Sequence, residues 1–110
     1  MTRTYIQTTE FTGKWEKLGF TDEELRKLEL EILRQPKIGK VIRGTGKLRK
    51  MRFAYANQGK RGSVRICYVD FAEKEIIYLI TVYSKNEKDN LTKEECNQIR
   101  KMIEILEKSL

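Results

Sequence analysis

Apolar residues recur along this chain with two different periods, and the switch between them divides it into elements. Tyr5 to Thr8 reads as a short first strand. From Thr9 to Leu18, Phe11, Trp15 and Leu18 fall at helical spacing, and Gly19 ends the run. Thr21-Asp22-Glu23-Glu24 then forms a capping box, in which Thr21 and Glu24 satisfy each other's backbone N–H groups. Leu25, Leu28, Leu30, Ile32 and Leu33 follow on one broad face until Pro36 bars continuation. From Lys47 to Ala54 the period becomes two: Arg49, Met51 and Phe53 point one way, and Leu48, Lys50, Arg52 and Ala54 the other. Val64 to Phe71 and Ile76 to Tyr83 are β-rich runs joined by the hairpin-sized Ala72-Glu73-Lys74-Glu75. Both are apolar on both faces, as inner strands covered on each side should be. Thr92 and Glu95 form a second capping box, and the helix behind it carries Cys96, Ile99, Ile103, Leu106 and Leu110 in a single stripe.

These elements predict one α+β domain over residues 1–110, in the order β-α-α-β-β-β-α, with the last three strands as an antiparallel meander. The amphipathic helices need a sheet face to bury against, so they are expected to pack on one face of an antiparallel sheet. The opposite face is then left to a site. No apolar run approaches the roughly 20 residues of a membrane span, and the N-terminus shows no secretory signal. Cys67 and Cys96 are read as free thiols of a reducing compartment, so the expected location is cytoplasmic.

Charge sharpens this picture. The net charge is +7, but no acidic residue occurs between Glu31 and Asp70, and eleven of the 23 basic residues lie in that window. A block of this kind repels itself in the folded state, and a polyanion such as the phosphate backbone of RNA relieves the repulsion. The sequence has no histidine, which excludes imidazole acid–base catalysis and any His-ligated metal. Gly44-Thr45-Gly46 lacks the spacing of a phosphate-binding loop and is read as a turn.

The strand Lys47 to Ala54 is the informative element. Lys50 and Arg52 share a face, Arg65 lies on the next strand, and Asn57 to Gly62 reads as a flexible basic loop between them, carrying Lys60 and Arg61. Tyr83 and Lys85 end the last strand of the meander. In a meander these groups can converge on one patch, where crowded cations favour a lysine that gives up its proton while arginines stay charged. Such a lysine can accept a proton and the arginines can stabilise a pentavalent phosphate. Lys47, Arg49, Lys60, Arg61 and Asn86 are expected to contact RNA around this centre. Phe53, Tyr55, Tyr68 and Tyr78 read as core residues rather than a stacking array, which disfavours a general RNA-binding module.

Three ordered segments carry a family resemblance: Gly44 to Arg52, Gly59 to Tyr68, and Tyr78 to Glu87. On these the sequence resembles toxins of the RelE/HigB superfamily, the ribosome-associated mRNA interferases of type II toxin–antitoxin systems, and is most similar to the HigB branch. The resemblance implies a RelE-like fold and an endoribonuclease that cuts mRNA in the A site of the 70S ribosome. It implies attack of a 2′-hydroxyl on the adjacent phosphate, with no metal and no cofactor. Carried over by position, Lys50 and Arg52 match the basic pair of one strand and Arg65 the arginine at the scissile phosphate. Tyr83, Lys85 and Asn86 fall where the family places further catalytic or positioning groups. Two departures stand out: Asn86 occupies the position of a later RelE arginine, and none of Asn90, Leu91 and Thr92 supplies the tyrosine found before the last helix. The implied partner is a small HigA-like antitoxin with a helix-turn-helix, which covers or distorts the basic face and joins the toxin on operator DNA. A non-enzymatic relative that inhibits its target by occupancy is the other reading.

Overall fold

Each α-helix begins at a threonine. The computed structural model describes residues 2–57 and 60–110, without the side chains of residues 57, 60 and 61. Thr8 accepts the Phe11 backbone N–H at 2.9 Å and opens α1 (Thr9–Lys17). Thr21 and Glu24 form the expected reciprocal cap of α2 (Asp22–Arg34), and Thr92 and Glu95 repeat it for α3 (Lys93–Ser109). Strand β1 (Thr4–Gln7) precedes α1; β2 (Lys40–Val41), β3 (Arg49–Asn57), β4 (Lys60–Phe71) and β5 (Ile76–Ser84) lie between α2 and α3. A single 3₁₀ turn, Ala72–Lys74, joins β4 to β5, and Glu75 closes it at φ 56°.

The spatial order is β1-β5-β4-β3-β2. The meander β3-β4-β5 is antiparallel as expected, and the α+β class holds. Three details differ from the sequence-based expectation. Strand β1 joins β5 in parallel, so the sheet is mixed. Two residues, Lys40 and Val41, add a fifth strand antiparallel to β3, too short to leave an alternating pattern. The expected basic loop is mostly strand, because Asn57 pairs with Lys60, Ala56 with Arg61 and Tyr55 with Gly62; Gln58 and Gly59 lie outside the described residues.

The larger correction concerns the helices, which do not share a face. Phe11, Trp15, Leu28 and Ile32 from α1 and α2 pack on Met51, Phe53, Val64, Ile66, Tyr68 and their neighbours. Ile99 and Ile103 of α3 pack on Leu48, Cys67, Val69, Phe71, Ile80 and Tyr83, on the opposite side. An apolar stripe tells a helix to bury itself but not against which side of a sheet. The deciding feature is in β4 and β5, whose two-sided apolar residues demand two layers of cover.

Register in β4–β5 shifts at Cys67/Tyr68: Cys67 pairs with Thr81 and Tyr68 with Leu79, which leaves Ile80 as an extra residue. This bulge puts Ile80 and Tyr83 on the same face although they are three apart. No helix among the described residues is long and apolar enough to cross a membrane.

If both layers are core, Ile32→Ala and Ile103→Ala should each cost about 2–5 kcal/mol in chemical denaturation, within one cooperative transition. A loss below about 1 kcal/mol for Ile103→Ala alone would show that α3 merely decorates the sheet.

Candidate nucleic-acid interface

Helix α3 covers only part of its face of the sheet, and cations emerge where the cover ends. In the β3–β4 ladder, Arg52 is the direct partner of Arg65, and Lys50 the direct partner of Cys67. Cys67 is buried beneath α3, whereas Lys50 and Arg65 are half-buried and Arg52 is exposed. Alternation thus carries the strand pair from core to open surface within two residues. Among the described residues no carboxylate forms an ion pair with Lys50, Arg52 or Arg65. Lys50 Nζ instead donates to Asn90 Oδ1 at 2.9 Å, and Arg65 Nη1 makes a long contact of 3.4 Å with Ser63 Oγ.

Beside Arg52 lies an open hollow of about 560 Å³, lined by Ala54, Tyr55, Ala56 and Gly62. Gly62 leaves room for Tyr55 on the α1–α2 side of the sheet, where a Cβ would stand 2.7 Å from the Tyr55 hydroxyl. On the side of the arginines, Ala54 and Ala56 present only methyl groups.

The other expected site residues divide into three groups. Lys85 and Asn86 are exposed in the turn after β5, just beyond the Val64–Ser84 pair, at the end of the sheet where Arg65 emerges. The side chains of Lys60 and Arg61 lie outside the described residues. Lys47 and Arg49, expected to contact RNA, have other partners. Lys47 pairs with Glu107 near the end of α3, and Arg49 points to the α1–α2 side and donates to the Gly39 carbonyl at 2.8 Å. Phase explains Arg49, since it alternates with Lys50 rather than joining it.

Tyr83, expected to be catalytic, is fully buried. Its hydroxyl lies beside the Cys67 thiol without hydrogen-bonding geometry and has no other partner among the described residues. Burial raises its pKa above the ordinary tyrosine value, with further upward pressure from Cys67. The same burial pushes the Cys67 thiol up to about 12, against the downward pull of Lys50. Tyr83 sits directly opposite Arg65, so it forms the floor under the arginine.

The segment between β5 and α3 is tied down over this floor. Lys88 Nζ meets Glu95 Oε2 at 2.7 Å and lies 5.7 Å from the centre of the Tyr83 ring. These contacts hold the segment that presents Asn90 to Lys50. Asn90 gave no sign of its role in the sequence, being 40 residues from its partner. Lys40 is also new: it is the direct partner of Lys50 across β2–β3.

Residues 5–109 match the family model described as "RelE toxin of RelE / RelB toxin-antitoxin system". The chain belongs to the RelE toxin family. Its fold resembles that of an arginine-to-alanine double mutant of E. coli toxin RelE in the free state, at 25% identity and TM-score 0.58, covering 80% of this chain and 88% of that one. It also resembles a chain of the intact E. coli RelBE toxin–antitoxin complex, at 26% identity and TM-score 0.55, covering 74% of this chain and 95% of that one. The isolated E. coli RelE toxin, at 21% identity and TM-score 0.56, supports the fold over 91% of this chain and 98% of that one. The protein is thus a RelE-family toxin of a toxin–antitoxin system.

Glu95 gives this toxin a pH-dependent anchor. The hydrogen bond from Lys88, followed by the Thr92 backbone N–H, lowers the Glu95 pKa below its ordinary value of 4.5. A lowered carboxyl pKa contributes stability that is present above the ordinary value and lost as pH falls through the folded one. The Lys88 pKa is raised, chiefly by its hydrogen bond to Glu95, so its contribution fails only in strong alkali. Thermal melts of wild type and Glu95→Gln should therefore differ at neutral pH and converge in acid, below the ordinary glutamate value. A gap that is constant through that range would mean that the charge of Glu95 is not what anchors the segment.

Proposed function

We propose that this toxin is a metal-independent, ribosome-dependent mRNA endonuclease. The observation that carries the reading is the pair of directly opposed arginines, Arg52 and Arg65, next to Lys50, with no carboxylate among the described residues forming an ion pair with them. Two guanidinium groups side by side match the paired oxygens of a phosphodiester. The family supports the same direction.

In this reading Arg52 and Arg65 hold the scissile phosphate and stabilise the added negative charge as it becomes pentavalent. Lys50, aimed by Asn90, takes the proton from the 2′-hydroxyl. The 2′-oxygen bonds to phosphorus, the bond to the 5′-oxygen breaks, and that oxygen gains a proton. Lys85, in the exposed turn at the same end of the sheet as Arg65, supplies that proton. The products are a 2′,3′-cyclic phosphate and a 5′-hydroxyl. Tyr83 acts beneath Arg65 as support rather than as a proton carrier. Lys60, Arg61 and Asn86 contribute contacts to the RNA strand around this centre. The wording of the three sequence segments supports the HigB branch, a HigA-like antitoxin that covers this face, operator DNA reached through that complex, and the A site of the ribosome as the place of cleavage.

Substitution of Lys50, Arg52 or Arg65 by alanine should lower single-turnover cleavage of ribosome-bound mRNA about 10²–10³-fold, with thermal stability retained and cyclic phosphate on the wild-type ends. Excess chelator should not alter the wild-type rate once magnesium-stabilised ribosomes are accounted for. Inhibition of translation with intact mRNA, undiminished in all three variants, would favour an occupancy toxin over an enzyme.

A further inference from the structure

Strand β2 is two residues long, yet the backbone leading into it is held from several directions. The buried Tyr68 hydroxyl donates to the Pro36 carbonyl at 2.8 Å and accepts the Gly39 N–H at 3.0 Å. The Arg49 guanidinium holds the Gly39 carbonyl from another side. Gly39 itself is pressed against β3: a Cβ there would lie 3.0 Å from the Lys50 carbonyl oxygen and 3.1 Å from the Arg49 Cβ. A larger residue there would push β3 back by a few tenths of an ångström. On the other side of β2, the Ile42 N–H reaches the Leu48 carbonyl at 2.8 Å and closes a turn through Gly44 and Gly46, both at positive φ.

This scaffold places Lys40 directly opposite Lys50, and directly paired residues share a sheet face. Lys40 is exposed, and no carboxylate among the described residues pairs with either lysine. Like charges directly opposite one another destabilise a strand pair. Nothing in the packing requires lysine at position 40, because its side chain is in solvent. The face therefore carries two rows of paired cations: Lys40 with Lys50, and Arg52 with Arg65. Two residues along β3, about 7 Å, and one strand spacing, about 5 Å, separate the rows, so their centres lie about 8 Å apart. That is comparable to the spacing of successive phosphates along an extended single strand.

We infer that Lys40 is a substrate-binding residue that holds the phosphodiester next to the one gripped by Arg52 and Arg65. The RNA strand then crosses the sheet from β4 toward the β2 edge, and Lys50 lies between the two phosphates, turned toward the reaction by Asn90. The inference rests on the ribonuclease reading and adds to it the path of the substrate.

Oligouridylates with 2′-O-methyl groups, which cannot be cut, provide the test. A dinucleotide carries one phosphodiester and a trinucleotide carries two. Lys40→Gln should weaken trinucleotide binding by about three- to tenfold and leave dinucleotide binding within twofold. The slope of log K against log[salt] for the trinucleotide should fall by about 0.7. Lys40→Arg should restore both, and the melting temperature of Lys40→Gln should equal or exceed that of wild type, because a repulsion is removed. On programmed ribosomes, Lys40→Gln should raise the toxin concentration needed for half-maximal cleavage and leave the saturating rate within twofold. Equal losses on both oligonucleotides, or no loss on either together with an unchanged half-maximal concentration, overturn the assignment; the lysine pair would then serve an acidic protein partner instead. If wild type cleaves while Lys40→Gln matches it throughout, the second phosphate contact fails alone. If wild type neither binds these oligonucleotides nor cleaves mRNA, the ribonuclease reading fails with it.

Discussion

Strand β4 is covered on both sides, and the rest of the molecule is arranged around that constraint. Val64, Ile66 and Tyr68 feed one core and Cys67, Val69 and Phe71 the other, so alternate residues of a single strand belong to different layers. Helices α1 and α2 close one layer and α3 the other. Because α3 does not extend over the whole of its face, the strand pair β3–β4 leaves the core partway along its length. Arg65 is the residue at which that happens, two positions before the buried Cys67. A cation there has apolar packing behind it and water in front, which positions it, and among the described residues no carboxylate forms an ion pair with it.

The same parity sorts the basic block. A count of charge along the chain finds eleven cations in a row of segments without an acid, but it assigns no direction to any of them. Lys50, Arg52 and Arg65 were legible as a group because the period-two pattern of Lys47 to Ala54 gives their phase. Arg49 has the other phase and binds the backbone of the preceding turn, and Lys47 meets Glu107. Expecting Arg49 among the RNA contacts used its charge and ignored the alternation, whereas Lys47 lies before β3, where alternation assigns it no side. Asn90 and Lys40 escaped for different reasons. Asn90 reaches Lys50 only through the tertiary fold, and Lys40 sits on a strand too short to show any period.

Most of the secondary structure could be read directly, since caps and periodicity are local. The Thr21–Glu24 and Thr92–Glu95 boxes mark both helix starts, and Gly44-Thr45-Gly46 is the turn it was expected to be. Layering and strand order are not local. The parallel pairing of β1 with β5, and the position of α3 opposite the other helices, depend on which apolar surfaces remain uncovered after the meander forms. Tyr83 shows the cost of the difference: a tyrosine at the end of a strand reads as accessible, yet the segment carrying Lys88 closes over its ring.

The extra residue at Ile80 has a consequence for how relatives should be aligned. The upstream half of β5 and its downstream half are out of step by one position, so the chain changes sides without a turn. A homologue lacking that residue would have a regular strand in its place. With Leu79 still opposite Tyr68 and Thr81 still opposite Cys67, unbroken alternation would keep the tyrosine equivalent to Tyr83 in the α3 layer, opposite its arginine. A one-position gap at this place in a family alignment therefore marks a lost bulge with the layers on either side of it unchanged, not a slip in the matching of sequences.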